Sequence, residues 1–197
     1  MLEAIKKINE VIPNLKSGQR FILGIDGLSR AGKTSITRAI EEQLKERSLP
    51  YFILHMDDFI ETRKNRYYTG KEEWEEYYYL QWNIENLREV LFKPCKSARE
   101  LCLPFYVPEK DLQEMKRIEL PSNCIIIIEG VFLQRDMWRD YFDVVVYVEA
   151  SKEKRFQREK ETTRRQIDKF QKRYWKAEEF YIASVNPIRK ANLVVHN

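Results

Sequence analysis

The chain alternates short, uninterrupted apolar runs with longer stretches in which apolar residues recur every third or fourth position. Leu2, Ile5, Ile8, Val11 and Ile12 follow the second pattern and predict an amphipathic helix over residues 2–13. Pro13-Asn14 and Ser17-Gly18 then mark turns before the run Phe21-Ile22-Leu23. Ile36, Ile40 and Leu44 share one face of a second helix over 33–46, with charges opposite. Further apolar runs lie near 51–54, 124–128, 144–148 and 192–195. A parallel strand covered on both faces reads as continuously apolar, as these do. With the run near 21–25, they predict an α/β fold: a five-stranded parallel sheet flanked by helices, with right-handed crossovers.

Residues 60–120 are less regular. Ile84, Leu87, Val90 and Leu91 predict a helix over 83–92 that Pro94 stops. Leu103 to Pro108 is extended, and its two prolines argue against a central strand. Trp74, Tyr77, Tyr78, Tyr79 and Trp82 form an aromatic cluster whose helical spacing suits core packing as well as stacking on a base.

Composition narrows the class. Apolar residues at 43% and charged residues at 34% exclude a disordered or fibrous chain. A net charge of +4, from 35 basic and 31 acidic side chains, requires no nucleic-acid partner. Cys95, Cys102 and Cys124 are widely spaced and odd in number, so they read as reduced thiols rather than a zinc site. No apolar run approaches the roughly 20 residues of a bilayer span. The start lacks a secretion signal, so the cytoplasm is expected, without a membrane partner. None of these features separates a monomer from a homo-oligomer.

The strongest chemical signal follows the first strand. Gly27-Leu28-Ser29-Arg30-Ala31-Gly32-Lys33-Thr34 fits G-x-x-x-x-G-K-[ST], with Ser35 next. Such a turn points successive backbone N–H groups inward, and the following helix adds its own unpaired donors and positive dipole end. The stretch therefore predicts a nucleoside-triphosphate site, in which Lys33 reaches the β- and γ-phosphates and the Thr34 hydroxyl serves magnesium. Asp57 and Asp58 leave the 51–54 strand together, at the end where an open α/β sheet binds ligands. They are candidates for general base and magnesium partner. Glu129, at the tip of the 124–128 strand, is a second acidic candidate for the metal. Arg63, Lys64, Arg66, Tyr67 and Tyr68 are candidates for an acceptor pocket. Ser151 to Lys176 holds eleven Lys or Arg against four Asp or Glu. Arg155, Arg158, Arg164 and Arg165 are placed there to cover phosphates as a basic lid, although a solvated helix with pairs such as Glu161–Arg165 has the same pattern.

Taken together, these residues resemble the uridine kinase and phosphoribulokinase superfamily from about Arg20 to Asn197. GIDGLSRAGKTS resembles the family's Gly-rich loop, with Arg30 replacing a small residue. HMDDFI resembles its strand-end acidic segment, which implies Asp57 rather than Asp58 as the base. QWNIENLREVLFKP resembles the helix before the acceptor-side segment, and Phe105-Tyr106 falls where relatives have an aromatic near the substrate. IIIIEG matches the strand with the magnesium-associated residue, here Glu129, and the Arg155–Arg165 stretch corresponds to the lid. YIASVNPIRKANLVVHN resembles the family's ending, with the Asn186–Lys190 part near adenine.

The resemblance implies ATP and Mg2+ as cofactors and one domain over 1–197. Within it lie an N-terminal helical extension (1–19), an acceptor-side region (60–120) and a lid (151–176). The expected reaction is phosphoryl transfer from ATP to a small metabolite's hydroxyl, foremost a nucleoside 5′-hydroxyl. Asp57, Lys33 and Arg158 are the expected catalytic residues. Thr34, Glu129 and Asp57 are expected at the metal, and Asp57, Asp58, Arg66, Tyr67, Phe105 and Tyr106 at the acceptor. His55 is expected to be packed. Pantothenate, a sugar or a sugar phosphate as acceptor, and an NTP-hydrolysing switch or binding protein, are the alternatives.

Overall fold

The computed structural model describes residues 2–197. Its centre is a parallel sheet of five strands: β1 (Arg20–Asp26), β2 (Tyr51–His55), β5 (Cys124–Glu129), β6 (Val144–Glu149) and β7 (Leu193–His196). They lie in the order β2-β5-β1-β6-β7. β1 and β5 are buried at every position, which is why their sequences are unbroken apolar runs. Register places His55 opposite Glu129 on β2 and β5, and Ile25 opposite Glu129 on β1 and β5. The ends of three strands, with Asp26 on β1, Glu129 on β5 and Asp57 just past β2, therefore lie side by side near the loop that leaves β1.

Two apolar layers cover the sheet. One joins Ile8 of helix α1 (Leu2–Val11), and Ile12 just beyond its end, to Ile36, Ile40 and Leu44 of helix α2 (Lys33–Glu46) and to Leu23, Ile25, Ile125 and Ile127. The other joins Ile126, Ile128 and Val145 to the aromatic cluster, including Tyr78, Trp82, Phe132, Trp138 and Tyr181. Trp82 donates its indole N–H to the Met56 carbonyl at 2.7 Å, which satisfies the one polar atom of a fully buried ring.

The extended stretch around Phe105 is half of an antiparallel hairpin, β3 (Glu100–Val107) with β4 (Leu112–Glu119). This two-stranded sheet is separate from the main one, so Pro104 interrupts no central ladder. Phe105 packs edge-on against Phe59, which anchors the hairpin beside the end of β2. The helices after β6 are short until a continuous helical stretch runs from Ile167 to Val185, with a π-helical turn at Phe170–Trp175. Among the described residues no helix is long and apolar enough to cross a membrane.

Candidate active site

The turn between β1 and α2 forms a cradle. Gly32 adopts φ +99° and Gly27 φ +151°, in the left-handed region that side-chain-bearing residues rarely enter. A Cβ on Gly32 would meet Asn197 Nδ2 at 1.9 Å, and one on Gly27 would meet the Val148 carbonyl at 2.6 Å. The first N–H groups of a helix have no intrahelical acceptor. Those of Lys33, Thr34 and Ser35 find none elsewhere among the described residues. The result is a set of free donors at a helix N-terminus, which is what a phosphate requires.

This cradle opens on a cavity of about 680 Å³. Its walls bring together Ser29, Arg30, Gly32, Lys33, Thr34 and Ser35 of the loop with Asp57 and Glu129 from the strand ends, and Arg158 from the helix after β6. Lys33 is buried, and its Nζ donates to the Leu28 carbonyl at 3.1 Å. Burial lowers its pKa, opposed by the charges of Glu129, Asp26 and Asp57. Asp57 lines the cavity and is exposed to solvent. Protein crowding around its carboxyl still raises its pKa; Lys33 pulls it back and Glu129 and Asp58 push it further up.

Thr34 Oγ1 donates to Glu129 Oε2 at 3.2 Å, and His55 Nδ1 lies 2.8 Å from the same oxygen. Burial pushes the Glu129 carboxyl up, but His55, Lys33 and Thr34 together outweigh it and leave it below its ordinary value. An ionised carboxylate beside a threonine hydroxyl, with Asp57 in the same cavity, is an all-oxygen donor set. It suits a hard divalent cation such as Mg2+, which keeps several waters and takes its remaining ligands from phosphates. His55 is half-exposed and bonded to Glu129, so it is not packed as expected from the sequence. It orients the acid instead.

Several expected contacts are not made. Arg155 is buried: it pairs with Glu178 at 2.9 Å and donates to the Ser29 and Ala150 carbonyls. Glu178 in turn accepts from the Ser29 N–H, so the pair braces the phosphate loop from behind and leaves no guanidinium for phosphate. Glu178→Gln breaks a buried ion pair and is expected to cost about 3 kcal/mol. In a thermal melt this should read as a Tm lower by about 9 °C. Arg158 donates to the carbonyls of Arg30 and Ala31 and lines the cavity. Arg164 and Arg165 line no part of it; Arg165 pairs with Glu161. Arg30 pairs with Glu159 at 3.0 Å, linking the loop to the lid.

On the acceptor side, Arg66 is buried, stacked between Tyr67 and Tyr106, and bonded to the Glu61 carbonyl and the Tyr106 hydroxyl. Tyr106 bonds Asp111, and Phe105 packs on Phe59. None of Asp58, Arg66, Tyr67, Phe105 and Tyr106 lines the cavity. Its other walls include Ile60, Tyr77, Gln81, Val131, Phe170 and Tyr174. Gln81 is only 9% exposed, and its side-chain amide has no protein partner among the described residues. Sequence reasoning placed Tyr77 in an aromatic cluster and Gln81 at the start of the QWNIENLREVLFKP segment, but singled out neither Gln81 nor Tyr174 as a site residue. The Asn186–Lys190 stretch lines no part of this cavity either; the Pro187 carbonyl accepts from buried Gln134 instead.

Comparison with known proteins identifies the family. The profile of the Phosphoribulokinase / Uridine kinase family matches residues 22–197. A uridine kinase of Staphylococcus epidermidis is 28% identical over 142 residues, which is 71% of this chain and 67% of that protein. A uridine kinase of Bacillus licheniformis is 30% identical over 139 residues, 66% of this chain and 60% of that protein. This chain thus spans about two thirds of their length or less. A solved structure described as a possible uridine kinase from Bacillus stearothermophilus is 41% identical, with a TM-score of 0.85, covering 98% of this chain and 97% of that one. With the phosphate cradle, the strand-end acids and nearly the whole chain matched, this protein belongs to the Phosphoribulokinase / Uridine kinase family of ATP-dependent kinases.

Proposed function

We propose that this chain transfers the γ-phosphoryl group of ATP to the 5′-hydroxyl of a nucleoside such as uridine or cytidine. The observation that carries the reading is one cavity lined by the phosphate loop, Lys33, the Thr34–Glu129 pair, Asp57 and an aromatic wall with a free amide. The loop N–H groups and Lys33 hold the phosphates. Thr34 and Glu129, with Asp57, would hold Mg2+, which when bound neutralises charge on the phosphate oxygens. Asp57 accepts the proton of the acceptor hydroxyl, a role favoured by a carboxylate of raised pKa. Arg158 supplies positive charge where it develops during transfer. Phosphoryl transfer relies mainly on such positioning and electrostatics, so no covalent enzyme intermediate is needed.

Charge distribution supports an uncharged acceptor. The cations lining the cavity, Arg30, Lys33 and Arg158, all come from the phosphate loop and the lid. Acceptor-side Arg66 is spent on a backbone carbonyl and aromatic rings, as is Arg135, which stacks on Tyr78 and Trp138. A sugar phosphate or pantothenate would bring an anion beside Asp57 without a counter-charge. The test is ADP release by the purified protein with Mg2+ and ATP, offered uridine, cytidine, pantothenate, ribose and ribose 5-phosphate. Stimulation by a nucleoside above the others is expected. Stimulation by ribose 5-phosphate or pantothenate instead would move the protein to the other acceptor class, and no stimulation by any would overturn the nucleoside assignment.

A further inference from the structure

One buried cation joins the helix after the lid to the acceptor-side helix Glu73–Tyr79, and the chemistry above does not use it. Arg173, 1% exposed, donates to Glu76 Oε2 at 3.0 Å, to the Glu73 carbonyl at 3.2 Å and to the Arg66 carbonyl at 3.1 Å. Its guanidinium also sits 4.2 Å above the Tyr67 ring. Glu76 is held on its other oxygen by the N–H and hydroxyl of Thr69. One guanidinium therefore gathers three points of the 66–76 segment onto the helix that carries Phe170 and Tyr174. The sequence neighbours of this pair point at the cavity: Tyr174 follows Arg173, Tyr77 follows Glu76, and their rings meet edge-on at 5.0 Å.

We propose that Arg173, acting through Glu76, is a positioning residue that fixes the Tyr77–Tyr174 wall of the acceptor pocket and marks where the lid ends. The inference rests on the phosphotransferase reading for its consequence, though not for its geometry. Two observations favour positioning over plain stabilisation. A buried ion pair is often no more stabilising than apolar side chains of the same volume, and here Arg173 Nε is left buried without a partner. What the fork supplies instead is direction, since a planar guanidinium fixes its acceptors in one arrangement. The π turn at Phe170–Trp175 is the second. An inserted residue re-aims the side chains of that turn, and such turns collect at functional sites. The exposed basic segment consequently ends before Phe170, which is itself buried, and is shorter than residues 151–176.

The test uses the full chain with Arg173→Met, Arg173→Lys and Glu76→Gln. Hydrogen exchange should quicken about tenfold in both 66–79 and 167–176 of Arg173→Met, with 27–36 unchanged. In steady-state kinetics the KM for uridine should rise about tenfold or more while the KM for ATP stays within about twofold. Glu76→Gln should shift the same constant, and Arg173→Lys should recover part of the loss. Unchanged exchange in the two segments overturns the strap. Faster exchange with the two KM values moving together, or neither moving, overturns the positioning role. Should Arg173→Met not fold, the same readings are taken on Glu76→Gln. If the unsubstituted protein phosphorylates no nucleoside, the function proposed above fails, and the exchange experiment still decides the strap.

Discussion

Asp57→Asn is expected to lower kcat for acceptor phosphorylation about a thousandfold, within the range ascribed to a positioned general base. Asparagine keeps the shape of the side chain but accepts no proton, so the loss isolates the chemistry. Nucleotide binding should persist, because Asp57 contributes nothing to the loop N–H groups that hold phosphate. The check is coupled ADP release alongside equilibrium titration with ADP. Loss of turnover with ADP affinity within about threefold supports the assignment. Equal turnover in the two proteins would remove Asp57 from the reaction and leave Glu129 as the remaining strand-end acid that lines the cavity.

Lys33→Met should have the second-largest effect, lowering kcat/KM for ATP by about two to three orders of magnitude. Among the described residues the buried ammonium has only the Leu28 carbonyl as a hydrogen-bond partner, so its charge is directed at the cavity and not spent on a protein carboxylate. Methionine fills the same volume and removes the charge. Binding of ADP, followed by calorimetry, should weaken in the same variant, whereas Asp57→Asn leaves it in place. An undiminished affinity would show that the backbone donors alone hold the phosphates.

The parts of this molecule that rest on local rules were readable from the chain. β1, β5 and β6 announced themselves as apolar runs because both faces of a central parallel strand are covered, and the edge strands β2 and β7 carry shorter apolar runs of the same kind. Gly27 to Thr34 was readable because a phosphate cradle needs glycine and lysine at fixed spacing. Burial of polar groups was not. Arg155 and Arg66 have the same letters as solvent-facing arginines, and only the tertiary partners, Glu178 for one and Glu61 with Tyr106 for the other, decide that they are consumed. β4 was missed for a related reason. Leu112, Met115 and Ile118 recur every third residue rather than every second, so the strand pattern of alternation is absent. Tyr77 and Tyr174 come from two helices distant in sequence and Gln81 from the bend after the first, and no spacing rule connects the three.

The Arg173–Glu76 strap also bears on how such a chain diversifies. The machinery that handles phosphate is built into the sheet and its first loop, where a change at Gly32 or Glu129 disturbs strand packing and nucleotide together. The acceptor wall hangs on two surface-packed helices clipped to each other by one guanidinium. Substitutions around that clip and around the phosphate loop share few neighbours, so their energetic effects should largely add. Lineages carrying this scaffold can therefore exchange one hydroxyl-bearing substrate for another by drift at a few wall positions, with the donor half inherited intact.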